Sequence, residues 1–378
     1  MPYITIPQSP KTRQITFEDI YFGTGEVPKS IPFDATGTIT KYVKKIPDYL
    51  VYRYPIASMI RRLREFNEKY IHLIETEDKS TLYRSFKIPK RSGGLRQIDA
   101  PNSELMSALR ELKDILEDHC GGLYHTTAYA YIHNRCTIDA LKKHQRNNSK
   151  WFGKFDFHNF FGSTTKEFVV KMFSTIYPFS EILRRQDGYN AFINSIDLAF
   201  LNGGLPQGTP ISPFITNVMM IPIDHSLNKW FNEHHLIYTR YADDILISSK
   251  YDFDINQMQE TILRVLRAFT APFELSTHKT RYGSSAGRNW NLGLMLNKDN
   301  NITVGYQRKK EFKAMLHNFI MDMKNNHPWD LNDVYHMLGL YSYYIAVEKN
   351  YFEELVGRMS ERYGINPIDK AKMLIKGQ

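Results

Sequence analysis

A chain of 378 residues, 42% apolar and 24% charged, is long enough for two or three cores, too apolar for disorder and too charged for a membrane protein. No run approaches the roughly 20 apolar residues a bilayer span needs, and the opening MPYITIPQSPKTRQ lacks the apolar centre of a signal peptide, so the expected home is the cytoplasm. The excess of 49 Lys and Arg over 40 Asp and Glu, a net +9, favours a polyanionic partner without identifying one.

Residues 1 to about 54 scatter Pro7, Pro10, Gly23, Gly25, Pro28, Pro32 and Gly37 and read as an irregular extension. From Ile56 to Ile74 the apolar residues Ile56, Met59, Ile60, Leu63, Phe66, Tyr70 and Leu73 recur at helical spacing, with Arg61, Arg62 and Arg64 on a solvated face. Residues 81–101, TLYRSFKIPKRSGGLRQIDAP, read as strand, Ser-Gly-Gly turn and strand, because paired glycines permit positive φ between two β-compatible runs. Asn102 or Ser103 then caps a helix with Leu105, Leu109, Leu112 and Leu116 on one face, and Thr137 opens another to about His144. Two cysteines, Cys120 and Cys136, are too few for a disulfide framework; neither sits in a zinc-type cluster, and both read as buried apolar fillers.

Phosphoryl transfer to a 3′-hydroxyl asks for two divalent cations about 4 Å apart, held by carboxylates from separate strands. The pattern to seek is therefore an acid inside an apolar strand, a costly position unless the acid is paired or metal-bound. WFGKFDFHNFF (151–161) sets Asp156 in an aromatic run. HLIYTRYADDILISS (235–249) sets Asp243 and Asp244 between two apolar runs, a hairpin with Ala242 and Asp243 at its tip. Taken alone, Asp243 and Asp244 read equally well as ordinary exposed turn acids.

The ordered set of motifs decides between these readings. Tyr241-Ala242-Asp243-Asp244 resembles the Tyr-x-Asp-Asp box of reverse transcriptases, and FDFHNFF resembles their first metal-binding strand. LPQGTPISP (205–213) is similar to the family's Leu-Pro-Gln-Gly box, and IPKRSGGLRQIDAP (88–101) to the fingers hairpin of group II intron and retron enzymes. NRCTIDALKKH (134–144), LSTHKT (275–280) and Asn291-Leu292-Gly293-Leu294 join them in the family's order. The resemblance implies an α/β (α+β) right-hand polymerase with fingers, a ferredoxin-like antiparallel palm and a helical thumb. It divides the chain into an N-terminal extension with a first fingers helix (1–80), fingers and palm (81–300) and thumb (301–378). About seventy residues after the palm are too few for a thumb and a nuclease domain together.

The same resemblance implies the roles. Asp156, Asp243, Asp244 and the Phe157 carbonyl would hold two Mg2+ ions, for which Mn2+ can substitute, with Asp244 contributing charge more than coordination. Lys279 matches a lysine that protonates the leaving diphosphate. Lys90 and Arg96, facing each other across the hairpin, match triphosphate contacts. Gln207 and Gly208 would approach the incoming dNTP and template base, and Tyr241 the primer end. Phe161, five positions after Asp156, matches the aromatic gate that collides with a ribose 2′-hydroxyl. Leu292, Gly293, Lys309, Lys310 and Lys313 would track the template-primer duplex, the lysines opening a helix with an apolar stripe from Phe312 to Met323. A further helix pair is expected over 336–359. Among relatives the sequence looks like retron, unclassified and abortive-infection enzymes. Trp290-Asn291-Leu292-Gly293-Leu294 replaces the retron Val-Thr-Gly signature, which favours the defence-associated groups. A structured noncoding RNA template, a DNA product and a protein partner encoded nearby follow from that likeness. The alternatives are a template-independent or protein-primed polymerase and a maturase-like enzyme.

Overall fold

The computed structural model describes residues 48–89, 94–118, 123–285, 290 and 293–376, with side chains from residue 56 onward. Its first elements are α1 (Asp48–Lys69), α2 (Ile71–Ile74), β1 (Tyr83–Pro89), β2 (Leu95–Pro101), α3 (Ser103–Asp118), α4 (Thr137–Arg146) and β3 (Trp151–His158). Helices α5 (Lys166–Phe173), α6 (Phe179–Arg184), α7 (Gln186–Asp197), α8 (Ser212–Met219) and α9 (Ile221–Glu233) lead to β4 (Ile237–Tyr241) and β5 (Asp244–Ser249). After α10 (Ile255–Ala268) come β6 (Glu274–Leu275), β7 (Arg281–Ser284), β8 (Met295–Leu296), β9 (Ile302–Thr303), α11 (Tyr306–Lys324), α12 (Leu331–Tyr363) and α13 (Pro367–Lys376). The mixture of helices and antiparallel strands is the expected class. Two compact units share the chain in alternating segments.

The first unit comprises the described residues up to Ile132, then Phe157–Lys229 and Gln259–Ser276. In α1 the expected stripe is buried and packs on α7, while Arg62 and Arg64 turn outward to ion pairs with Asp118 and Asp187, both at 2.9 Å. The hairpin forms as expected, in register from Tyr83 opposite Pro101 to Pro89 opposite Leu95. Asn102 Oδ1 accepts from the Leu105 amide at 2.8 Å, capping α3 and burying its leucine face. A second aromatic core joins α5, α6 and α7, where the Phe173 ring lies 4.4 Å from Phe179 and 5.7 Å from Phe192.

The second unit comprises His133–Asp156, Trp230–Met258 and the described residues from Thr277 onward. Its sheet runs β4, β5, β3, β7, all antiparallel, with Trp151 opposite Ser249 and Asp156 opposite Asp244. Helix α4 lies against β4 and carries His144, whose ring nitrogens are linked to Ser248 Oγ at 2.6 Å and Thr239 Oγ1 at 2.8 Å. Burial pushes that imidazole down to about 3, so it sits neutral between two hydroxyls and ties helix to sheet. Phe152 stacks on Trp290 at 5.3 Å and continues into the core of α11, α12 and α13, through Phe312, Leu316, Tyr344 and Phe352. The expected helix pair is α12, broken at Glu348, where φ is −139° and ψ 68°.

Cys136 is not the buried apolar filler expected of it. Cys136 is exposed, because it precedes α4 and its thiol and amide both donate to Asp139 Oδ2, at 3.0 and 3.1 Å, as a helix cap. Cys120 lies outside the described residues.

Candidate active site

The β4–β5 hairpin pairs Tyr241 with Asp244, which leaves Ala242 and Asp243 as a two-residue tip. Ala242 has φ 56°, a left-handed conformation that glycine ordinarily supplies and that costs an alanine about 1 kcal/mol. The tip lifts Asp243 out of the strand beside Asp244, which faces Asp156 across the β3–β5 ladder. Directly opposed residues lie about 5 Å apart at Cα. Asp156 on β3, Asp244 on β5 and Asp243 at the hairpin tip thus meet at one end of the sheet.

Their electrostatics fit a cation site. Burial, then Asp244, then Asp156, raise the Asp243 carboxyl to about 6, against a smaller lowering by Lys279. Burial also raises Asp244, against the opposing pull of Lys154. Lys154 donates to Asp244 Oδ2 at 2.7 Å, both side chains being about 15% exposed, and Lys279 donates to Asp156 Oδ1 at 2.6 Å. Among the described residues no three acid, His or Cys side chains close to metal-ligand distance; instead the two ammonium groups sit on the outer carboxylates as monovalent counter-ions. An all-carboxylate set that remains mutually repulsive suits hard divalent cations such as Mg2+ or Mn2+.

A pH dependence follows. The folded pKa of Asp243 lies above its unfolded value, so its stabilising contribution to the metal-free protein is present below about 4 and lost as pH rises through about 6. Cation binding has the opposite sense, since it needs the ionised form. Mn2+ affinity measured by calorimetry should be about tenfold weaker at pH 5 than at pH 7.5; a pH-independent affinity would remove Asp243 from the ligands.

Lys154 was not singled out from the sequence. The signal was there: it stands two residues before Asp156, hence on the same strand face.

In the first unit the loop after α7 is threaded between two elements. Leu205 donates its amide to Phe161 O at 3.0 Å, and Gln207 O accepts from the Asp99 amide of β2 at 3.0 Å. Gly208, with φ 124°, approaches the hairpin so closely that a Cβ would stand 3.1 Å from Asp99 O. Gln207 and Gly208 are thereby brought beside β2, and Phe161 is tied to the same loop through Leu205. The Phe161 ring is half-buried, edge-on to Phe160 at 5.7 Å, and Phe157 and Phe160 stack in the core with Phe273. Arg96 is exposed on β2, opposite Ile88, so its register partner is not Lys90 as expected. Lys90 itself, like Leu292, lies outside the described residues.

The basic start of α11 divides. Lys310 and Lys313 are exposed, but Lys309 is committed to Glu348 at 2.5 Å and lies 4.2 Å from the Tyr351 ring centroid. Arg308 donates to Gly293 O at 2.8 Å, and its guanidinium fills the space where a Cβ on Gly293 would sit. Lys309 and Gly293 thus join α11 to its own neighbours. Tyr241 is half-buried at the hairpin, its phenol pushed up chiefly by burial.

The family described as "Reverse transcriptase (RNA-dependent DNA polymerase)" matches residues 88–315. The retron Ec83 reverse transcriptase of Escherichia coli is 28% identical over 306 residues, 79% of this chain and 92% of that protein. The retron Ec86 enzyme of the same species is 23% identical over 57% of this chain and 63% of its own length. The retron Mx162 enzyme of Myxococcus xanthus is 28% identical over 45% of this chain and 36% of its own. Among solved structures, a Candida albicans telomerase is similar over 85% of this chain and 64% of that one, at 13% identity and a TM-score of 0.42. The change at Trp290–Leu294 therefore leaves the similarity to retron enzymes in place. No helix among the described residues is long and apolar enough to cross a membrane.

Proposed function

The chain belongs to the reverse transcriptase family of RNA-directed DNA polymerases, and we propose that it extends a primer with dNTPs through a two-cation site held by Asp156, Asp243 and Asp244. The observation that carries this reading is the opposition of Asp156 to Asp244 with the raised carboxyl of Asp243 beside them. When bound, the two cations supply Lewis acidity at the primer hydroxyl and charge neutralisation at the leaving diphosphate. The 3′-hydroxyl passes its proton to solvent water, and its oxygen bonds to the α-phosphorus as the bond to diphosphate breaks.

The chain's own residues do the rest. Asp156 and Asp243 would hold the cations at the reacting centre, and the Phe157 carbonyl would offer them a further oxygen. Asp244, kept by Lys154, contributes negative charge. Lys279, released from Asp156, donates its Nζ proton to the departing diphosphate. Arg96, with Lys90, neutralises the triphosphate; Gln207 and Gly208 bound the base pair; Phe161 excludes a 2′-hydroxyl; Tyr241 supports the primer end. Lys310 and Lys313 meet duplex phosphates, a role proposed for Gly293 and Leu292 as well, with Lys309 holding their helix in place.

We place this activity on a dedicated structured noncoding RNA in bacterial anti-phage defence, with a protein partner encoded nearby. Similarity to retron enzymes supports that reading. The test is purification from native cells with flanking genes, followed by sequencing of bound nucleic acid. One dominant RNA retained at about 0.2 M salt, where non-specific phosphate contacts weaken, is expected; a random sample of cellular RNA would refute it.

A further inference from the structure

The same hairpin contains a buried cation that the reaction does not use. Arg240 is 0% exposed, among the largest fully buried side chains, on a strand position opposite Ile245. A guanidinium is held inside a protein only when its donors are matched. One of its matches is the carbonyl of Ala242, which accepts from Nη1 at 3.1 Å. Ala242 is also the residue in the left-handed conformation, φ 56°, and it immediately precedes Asp243.

We propose that Arg240 is a positioning residue for the catalytic turn: its guanidinium holds the Ala242 carbonyl, fixing the strained peptide that aims Asp243. This deepens, and rests on, the proposed carboxylate site. A left-handed alanine relaxes toward other turns unless its surroundings over-determine it. A peptide that rotates at Ala242 carries the Asp243 amide with it, because one peptide plane joins the two residues. A planar fork with fixed donor directions suits this task; a lysine ammonium on a flexible stem keeps the charge and loses the direction.

The test is a double-mutant cycle of Arg240→Lys and Ala242→Gly, because glycine adopts positive φ without a Cβ clash. Arg240→Lys is expected to lower kcat tenfold or more with the dNTP KM within about twofold, and to weaken Mn2+ binding measured by calorimetry. In the Ala242→Gly background the same change should cost at least threefold less. An equal loss in both backgrounds, or wild-type kcat with a lowered Tm alone, would overturn the proposal. Should Arg240→Lys alone fail to fold, the double variant is compared with Ala242→Gly for soluble yield and Tm. Recovery of folded protein by the glycine supports the proposal, and no recovery overturns it. Asp243→Asn in the same assay separates the two readings: if it stays active, the carboxylate site itself is wrong, whatever Arg240 does.

Discussion

Asp243→Asn is expected to reduce Mg2+-dependent dNTP incorporation by 100-fold or more while leaving RNA affinity unchanged. The substitution keeps the shape and removes the charge that the proposed reading sets at the reacting phosphate, a loss on the order of 3 to 4 kcal/mol of transition-state stabilisation. Its effect on stability should run the other way. In the metal-free protein Asp243 is a half-buried carboxylate repelled by Asp244 and Asp156. Neutralising it should raise Tm near pH 8 and change little near pH 5, where the native carboxyl already carries a proton. The variant should also lose most of the Tm increase that Mg2+ gives the native protein. Retention of more than about a tenth of native activity would contradict the ligand assignment, and a lower metal-free Tm at pH 8 would contradict the repulsion.

The acids were readable in the sequence because each breaks an apolar strand, and the same contrast applied to cations would have found Arg240 and Lys154. Arg240 stands in a five-residue strand with Tyr238 and Thr239 buried before it. Lys154 shares a strand face with Asp156. Local patterns also gave the hairpin, the Asn102 cap and the stripes of α1 and α11, since each depends on residues within a few positions of one another. Pairings distant in sequence left no such mark. Lys309 looked free beside Lys310 and Lys313, yet its partner Glu348 is 39 residues away, at the break in α12. The short helices α5, α6 and α7 carry no single long stripe; their phenylalanines converge only after folding. Cys136 was misread because composition ranks cysteine as a buried type, whereas its place one residue before α4 gives it a cap to make.

Phe161→Ala is expected to raise ribonucleotide use relative to deoxynucleotide use at least tenfold, on the order of 1 to 3 kcal/mol for a lost steric contact. The neighbouring phenylalanine supplies the control. Phe160 is 3% exposed and stacks on Phe157 at 5.3 Å and near Phe273 at 5.0 Å, so Phe160→Ala should cost about 3 kcal/mol or more of stability. The Phe161 ring is only half-buried and meets Phe160 edge-on, so its removal should cost less stability and leave the fold intact. Its backbone stays anchored, because the Leu205 amide donates to Phe161 O and that bond does not involve the ring. The opened space therefore stays by the loop that Leu205 opens and Gln207 and Gly208 continue, where the proposed reading places the sugar. Single-nucleotide incorporation should show the ribonucleotide kcat/KM rising while the deoxynucleotide value falls only a few-fold. An unchanged ratio in a folded Phe161→Ala protein would move the gate to another side chain.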